Sequence, residues 1–546
     1  MSRPHSAYTK NDEKSSEAAR DVSIAQKRST LCSVLIVSSC TMAMLVNISN
    51  TTAPSIALPT IGRELNIPEA QLQWIVSAYS LTSGCLLLFF GRIADLYGRK
   101  SVFMWGTFWL AAFTLGCGFS NDAVTLDMLR GLQGIGAAAT IPASLGILAH
   151  SFPPSRARSI AFATFAAGAP VGAGLGSVIG GVLTQLTAKT WRATFYLSTG
   201  LTVLNLLMGA FSIDADQPST ETDRRVDWLG ALLVTAGLTL IIFVLGQGEV
   251  APQQWKTPYI IVLLVLGVLL MAAFVFWQDY LVKAREELKT TRTWLHPPPL
   301  MKLTIWTRAR GRVAAILCII LLNWCSFLGW NFWLQLYYQQ YLELSPIRTT
   351  IRLLPMFITG VLCNVVVALV VGHVPVVYLL GLGTSMTAAA ALLFALVVPS
   401  ASYWAFGFPA AVLSVFGADF MFASGTIFIA RAALPHEQSV AGALFQTMTQ
   451  VGTAIGVSVT TVVFNRVIHH RAEEAGVSPA LPGHLIPKDV ALPAYKAAQW
   501  TAFAFGVIGK RPLQCRTRSI LTGRLMLPFS FHCIHHLLLE RWCGRP

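Results

Sequence analysis

Few charged residues interrupt the long apolar stretches of this sequence, and those few are where its chemistry must lie. Arg130 stands in LDMLRGLQGIGAAA, residues 126–139, three residues after Asp127, so on a helix the two share a face that Gln133 continues. An unpaired cation in a low-dielectric slab costs several kcal/mol, so Arg130 needs a partner or a watery cavity. The pair is either a structural interface contact or an element that couples to protons. Asp419 stands in another apolar run, about 17 residues from its start at 402. A carboxylate there is expensive when ionised, so it should be protonated for part of a working cycle, unless a neighbouring helix holds it permanently by hydrogen bonds. Asp95 lies among basic residues in GRIADLYGRK, residues 91–100. Gly91 removes a side chain where a helix must approach a neighbour, Gly98 permits a tight turn, and Asp95 can face the positive N-terminus of another helix. Arg92, Arg99 and Lys100 could be mere anchors; with Asp95 among them they read as a charge latch.

These residues need a scaffold, and composition says which kind. The chain has 546 residues, 54% hydrophobic and 12% charged, against roughly 25% charged in soluble proteins. A soluble multidomain enzyme is excluded by the mean hydropathy of +0.59, which calls for lipid rather than one interior. The net charge of +15 then marks loops facing anionic headgroups rather than a nucleic-acid surface. Ten cysteines without a CxxC pair read as packing residues. The tail residues His532, Cys533, His535 and His536 lack a zinc spacing, and no metal or other cofactor is expected.

Hydropathy gives apolar segments near 31–51, 72–90, 102–120, 124–149, 159–184 and 194–212, then 228–247 and 258–278, then 313–336, 350–371, 374–398, 402–430, 438–465 and 497–508. The expected protein is therefore all-α and membrane-embedded, with fourteen spans arranged six, two, six. The last span, of about 12 residues, is short of the roughly 20 needed to cross. Residues 1–30 read as a disordered arm, 31–212 as a first six-helix bundle, 213–278 as two extra spans, 279–312 as a basic loop, 313–508 as a second bundle and 509–546 as an atypical tail. Counting Lys and Arg by loop puts about 29 on the side of the N-terminus and about 10 on the other, so the N-terminus is expected in the cytoplasm. Asp95 then emerges on the side where the thirteenth span begins near Ser439, its expected docking partner.

Two further patterns have structural and functional readings alike. Gly168, Gly172, Gly176 and Gly180 recur every fourth residue and form a ridge for close helix packing. The ninth span, NWCSFLGWNFWLQLYYQQY, is aromatic. Trp330, Asn331 and Gln335, together with Trp333 and Tyr338, could line an apolar pocket with a few polar contacts, or form an interfacial belt at the outer end.

In their order and spacing these motifs resemble those of the major facilitator superfamily. GRIADLYGRK is similar to its loop signature, the run around Arg130 to its buried-arginine motif, and GAPVGAGLGSVIGG, residues 168–181, to its antiporter motif. The six, two, six plan resembles the fourteen-helix drug:proton antiporter branch, and DFMFASGTIF resembles fungal aminotriazole-resistance-type exporters. The resemblance covers about 31–508 and implies the major facilitator fold, two six-helix bundles plus two inserted helices. It implies proton-driven export of a small organic compound, such as a drug, toxin or secondary metabolite, by a monomer in the plasma or vacuolar membrane. Asp127, Arg130 and Asp419 would couple protons; Asn50, Gln133, Trp330, Asn331 and Gln335 would form the substrate pocket. Related antiporters carry Asp where Asn50 stands here, ahead of ALP at 57–59, and Ser177 occupies a proline position of the antiporter motif, with Pro170 earlier. An uptake carrier, or a transporter-like sensor that binds a solute without moving it, remain the alternatives. Family members continue past 508, whereas GKRPLQCRTRS follows here; Gly509-Lys510 can be encoded by GGT-AAG, a donor-like sequence, so 509–546 reads either as a gene-model artefact, a retained intron or frameshift, or as a genuine divergent tail whose segment 525–539 packs on the membrane surface.

Overall fold

A computed structural model describes residues 29–67, 69–153, 155–216, 223–249, 251–287, 297–370, 373–476 and 487–522, with the side chains through Gly509. The described residues form fifteen α-helices and no strand. In lipid the backbone must satisfy its own hydrogen bonds, and helices do so within each segment.

The first half contains α1 (Thr30–Glu64), α2 (Glu69–Cys85), α3 (Leu87–Tyr97), α4 (Arg99–Gly118), α5 (Ala123–Ser151), α6 (Arg156–Leu186) and α7 (Arg192–Ser212). Helices α2 and α3 together make one span, bent by 46° at Leu86. The inserted pair is α8 (Trp228–Gln247) and α9 (Pro258–Glu287). The second half contains α10 (Thr304–Leu336), α11 (Pro346–Val370), α12 (Val376–Ala395), α13 (Tyr403–Ala432), α14 (Gln438–Glu474) and α15 (Lys488–Thr522). Twelve helices are individually long and apolar enough to cross a bilayer, and the bent pair makes a thirteenth.

The fourteenth, α15, departs from the sequence expectation. It begins at Lys488 rather than 497 and continues through Thr522. The stretch to Ile508 is thus about 30 Å long at 1.5 Å per residue, enough to cross the hydrocarbon. Lys488, Asp489 and Lys496 lower the local hydropathy, while Ala491, Ala494, Tyr495 and Ala498 are buried against the bundle. The arm through residue 28 and the tail beyond 522 lie outside the described residues.

Side-chain caps start several helices. Asp122 accepts from Thr125 N–H at 2.8 Å, Ser155 from Arg158 N–H at 3.3 Å and Asp227 from Gly230 N–H at 2.8 Å. The inserted pair touches both halves. Trp228 and Phe243 of α8 meet Phe89 of α3 and Trp74 of α2, with ring centroids 5.7 and 5.6 Å apart. At the other end Glu249 accepts from Asn465 of α14 at 2.6 Å. Between the halves, α3 and α5 pack on α14, and α6 packs on α11 and α13.

Candidate functional site

The seam between the halves is held at one face, the one where α1 begins, called here the basic face. Gly98, at φ +116°, turns the chain from α3 into α4, a conformation that favours glycine. The turn leaves Asp95 buried, its side chain fully so. Its carboxylate accepts from the backbone N–H groups of Ser439 at 3.2 Å and Val440 at 3.0 Å, at the start of α14. Arg99 bridges to the Asp95 carboxylate at 3.1 Å and donates to the Pro435 carbonyl at 2.6 Å. Close approach here depends on Gly91, where a Cβ would come within 2.8 Å of the Ala443 Cβ.

Sequence reasoning missed a second set of contacts on this face. Arg158 of α6 donates to the Ala430 carbonyl of α13 at 2.9 Å, and Arg431 reaches Ser159 at 3.4 Å. The two arginines hold the ends of α6 and α13 reciprocally. Glu437, in the turn before α14, accepts from Leu434 N–H at 3.2 Å and pairs with Arg308, which precedes the apolar part of α10. The visible signal was a basic residue at each of these helix ends, which on its own only predicts topology.

Arg130 is fully buried among α2, α4 and α5. It donates to the Ile75 carbonyl at 2.7 Å and to Gln133 Oε1 at 2.6 Å, and its guanidinium lies 4.6 Å from the centre of the Tyr79 ring. Gln133 passes the network to Thr114 at 2.7 Å, and Tyr79 donates to Asn47 Oδ1 at 2.5 Å. Asp127 does not form the expected pair with Arg130 among the described contacts; its Oδ1 is buried without a hydrogen-bond partner, as is Arg130 Nη2. Neutral carbonyl acceptors and an aromatic face make the direct contacts to the cation, and Asp127 acts on it only through space.

Asp419 is buried on α13, and its Oδ2 has no hydrogen-bond partner. Asn364 and Cys363 of α11 lie beside the carboxyl. Gly360, one turn away, is where α11 meets α6: a Cβ there would lie 2.9 Å from Pro170 Cγ and 3.0 Å from Asp419 Oδ2. Asp419 therefore borders both halves, a position that its depth in the sequence did not reveal.

The five residues expected to form the substrate pocket lie in separate surroundings in this structure. Asn50 accepts from Ser198 at 2.6 Å and lines a small cavity between α1 and α7, while Gln133 is locked in the arginine network. Trp330 is wholly buried against Phe327 and Phe394, Asn331 is half-buried and Gln335 is exposed. The five do not line one site, because the aromatic face of α10 packs into its own bundle: Trp333 stacks on Phe464 of α14 at 4.0 Å and meets Tyr495 of α15 at 6.0 Å. The glycine ridge of α6 lies on α1. A Cβ at Gly168 or Gly180 would fall 2.7 Å from the carbonyl oxygen of Thr41 or Ala53, and Gly172 and Gly176 sit as closely on Leu45 and on Ser49 with Thr52.

A two-bundle fold with its halves joined at reciprocal helix ends is the plan of a membrane transporter. The Major Facilitator Superfamily profile matches residues 40–245 and 223–457, and the chain belongs to that family. It is 27% identical over 521 residues to MFS-type transporter 1 of Pyricularia oryzae, covering 88% of this chain and 82% of the relative. It is 30% identical over 469 residues to puromycin resistance protein pur8 of Streptomyces alboniger, covering 85% and 87%. The crystal structure of the human organic anion transporter MFSD10 (TETRAN) shares the fold at a TM-score of 0.61 and 13% identity, over 89% of this chain and all of that one (100%). The protein is thus an integral, multi-pass membrane transporter of this superfamily.

Proposed function

We propose that this transporter exports a small organic compound, such as a drug, toxin or secondary metabolite, in exchange for protons, as a monomer and without a cofactor. The observation that carries the reading is Asp419: a buried carboxyl with an unpartnered oxygen, beside the contact between the halves. A carboxylate so placed is costly when charged and can bind a proton when the surrounding seam changes. Arg130 and Asp127 are the second candidate coupling pair, resting apart in this state. The basic face lies toward the cytoplasm by its excess of Lys and Arg, so the latched state is closed to the cell interior. Release of the latch and rocking of the halves would expose the midplane alternately to either side. The puromycin resistance protein among the relatives supports export; the membrane proposed is the plasma membrane, or that of the vacuole.

Proteoliposomes holding the full chain, an imposed pH gradient, and puromycin or a metabolite extract as the offered solutes test this. Solute movement should follow the gradient and disappear in Asp419→Asn, with binding retained. Transport indifferent to the gradient defeats proton antiport, and undiminished gradient-driven transport in Asp419→Asn removes Asp419 from the mechanism.

A further inference from the structure

The surroundings of Asp419 contain a relation that its depth alone does not imply. Asn364 commits its Nδ2 to the Gly360 carbonyl at 2.9 Å, which ties its side chain to the turn of α11 touching Pro170 of α6. The Asn364 side chain lies beside the Asp419 carboxyl, which itself borders Gly360. Asn364 Oδ1 and Asp419 Oδ2 are each buried without a partner. We infer that Asn364 is a positioning residue that ties the protonation of Asp419 to the crossing of α6 and α11, so that this crossing closes dry only around the neutral acid. The inference rests on the proton-coupled reading above and deepens it.

Acceptor atoms buried without a donor are unfavourable, and a proton on Asp419 relieves its share of that cost. A proton on the Asp419 carboxyl supplies the missing donor, whereas an ionised carboxylate adds a charge. That charge has no countercharge nearby. Helix α13 packs on α6, α10, α11, α12 and α14. The stretches 159–185, 313–336, 353–370, 376–395 and 438–465 of those helices contain no Asp, Glu, Lys, Arg or His, and Cys363 is a titratable side chain close enough to feel the Asp419 charge. Ionisation therefore has to be met by water, and the contact of Gly360 with Pro170, which borders the carboxyl, has to part for water to enter there. Asn364, bonded to the Gly360 carbonyl, moves with that contact. Opening the crossing changes the donor offered to Asp419, and changing the charge on Asp419 changes the stability of the crossing.

The full chain in lipid nanodiscs provides the test through two readouts over a pH series: the infrared C=O stretch of protonated carboxyl, and the distance between spin-labelled non-natural residues at Val182 of α6 and Ile351 of α11. In the unsubstituted protein the band and the distance should change with one common midpoint. In Asn364→Ala the band midpoint should move by about one pH unit, the scale of one hydrogen bond to a charged group, and the distance change should part from it. Asn364→Ser, which keeps a donor and an acceptor, should return both toward the original. A distance that ignores the band in the unsubstituted protein overturns the inference, and this arm stands even if Asn364→Ala does not fold. An Asn364→Ala protein that titrates and moves like the original overturns it too. If Asp419→Asn leaves the band in place, the reading of Asp419 as the proton site is what fails.

Discussion

Asp95, on α3 of the first half, accepts a hydrogen bond from the backbone N–H of Val440, on α14 of the second, at 3.0 Å. The first turn of a helix has N–H groups without partners inside the helix and carries partial positive charge. Here a carboxylate from the other half satisfies two of them, so the capping interaction exists only while the basic face is closed. Asp95→Ala removes a buried, charge-assisted interaction of about 2 kcal/mol, which is roughly a thirtyfold shift of the population toward the state open at that face. Cysteine probes read from each side should show this redistribution, and an unchanged accessibility pattern would discard the latch.

Arg158 and Arg431 form the second tie across the same face, through Ala430 and Ser159. Arg158→Ala should loosen the closed state by about 1–2 kcal/mol, since it removes one charge-assisted hydrogen bond. The short turn joining α13 to α14 connects the two ties, so a shift at one is passed to the other. Arg158→Ala with Asp95→Ala should therefore be non-additive, with a coupling of about 0.5 kcal/mol or more in a double-mutant cycle read by the same probes. Strict additivity would mean that the turn does not transmit between them.

The spans were legible because lipid demands long apolar helices, and the six, two, six order followed from counting them. The Asp95 contact with α14 could be anticipated from topology, since both ends emerge on one face. The bend at Leu86 was not readable, because no proline marks it. The surroundings of the expected pocket residues were not readable for a related reason. Helix α10 is apolar nearly all round, so hydropathy does not say which face looks between the halves, and Trp330 turned out to face its own bundle. Asn364 was passed over because a lone amide in an apolar helix acquires meaning only from its neighbour on another helix.

The ridge on α6 gives a prediction about stability rather than transport. At Gly172 an added Cβ would collide with the Leu45 backbone, which cannot rotate away, whereas at Gly200 on α7 nothing lies within 4 Å. Gly172→Ala should cost about 1–3 kcal/mol from overpacking, visible as a lower unfolding temperature in detergent. Gly200→Ala should be neutral or slightly stabilising, since alanine is the better helix former. Equal stability of the two variants would show that α1 and α6 are not packed as closely as found here.

Asp223 offers a pH test outside the membrane-spanning segments. It lies in the connection between α7 and α8 and pairs with Arg225 at 2.8 Å and Arg285 of α9 at 3.0 Å. Hydrogen bonding from Arg225, followed by the charges of Arg225 and Arg285, holds its carboxyl below the usual carboxylate range, against the opposing effect of burial. A group whose folded value is depressed contributes stability that is fully present above its unfolded value, about 3.9 for Asp, and that fades as the pH falls through the lower folded value. Asp223→Asn should therefore unfold at a lower temperature than the original protein at pH 7. The gap should stay constant down to about pH 4 and narrow below it, as the carboxyl of the original protein takes up its proton. Unfolding curves measured from pH 7 to about pH 3 provide the check. A gap that widens on acidification would require the opposite sign of linkage and would show that the two arginines do not hold Asp223 in its charged form.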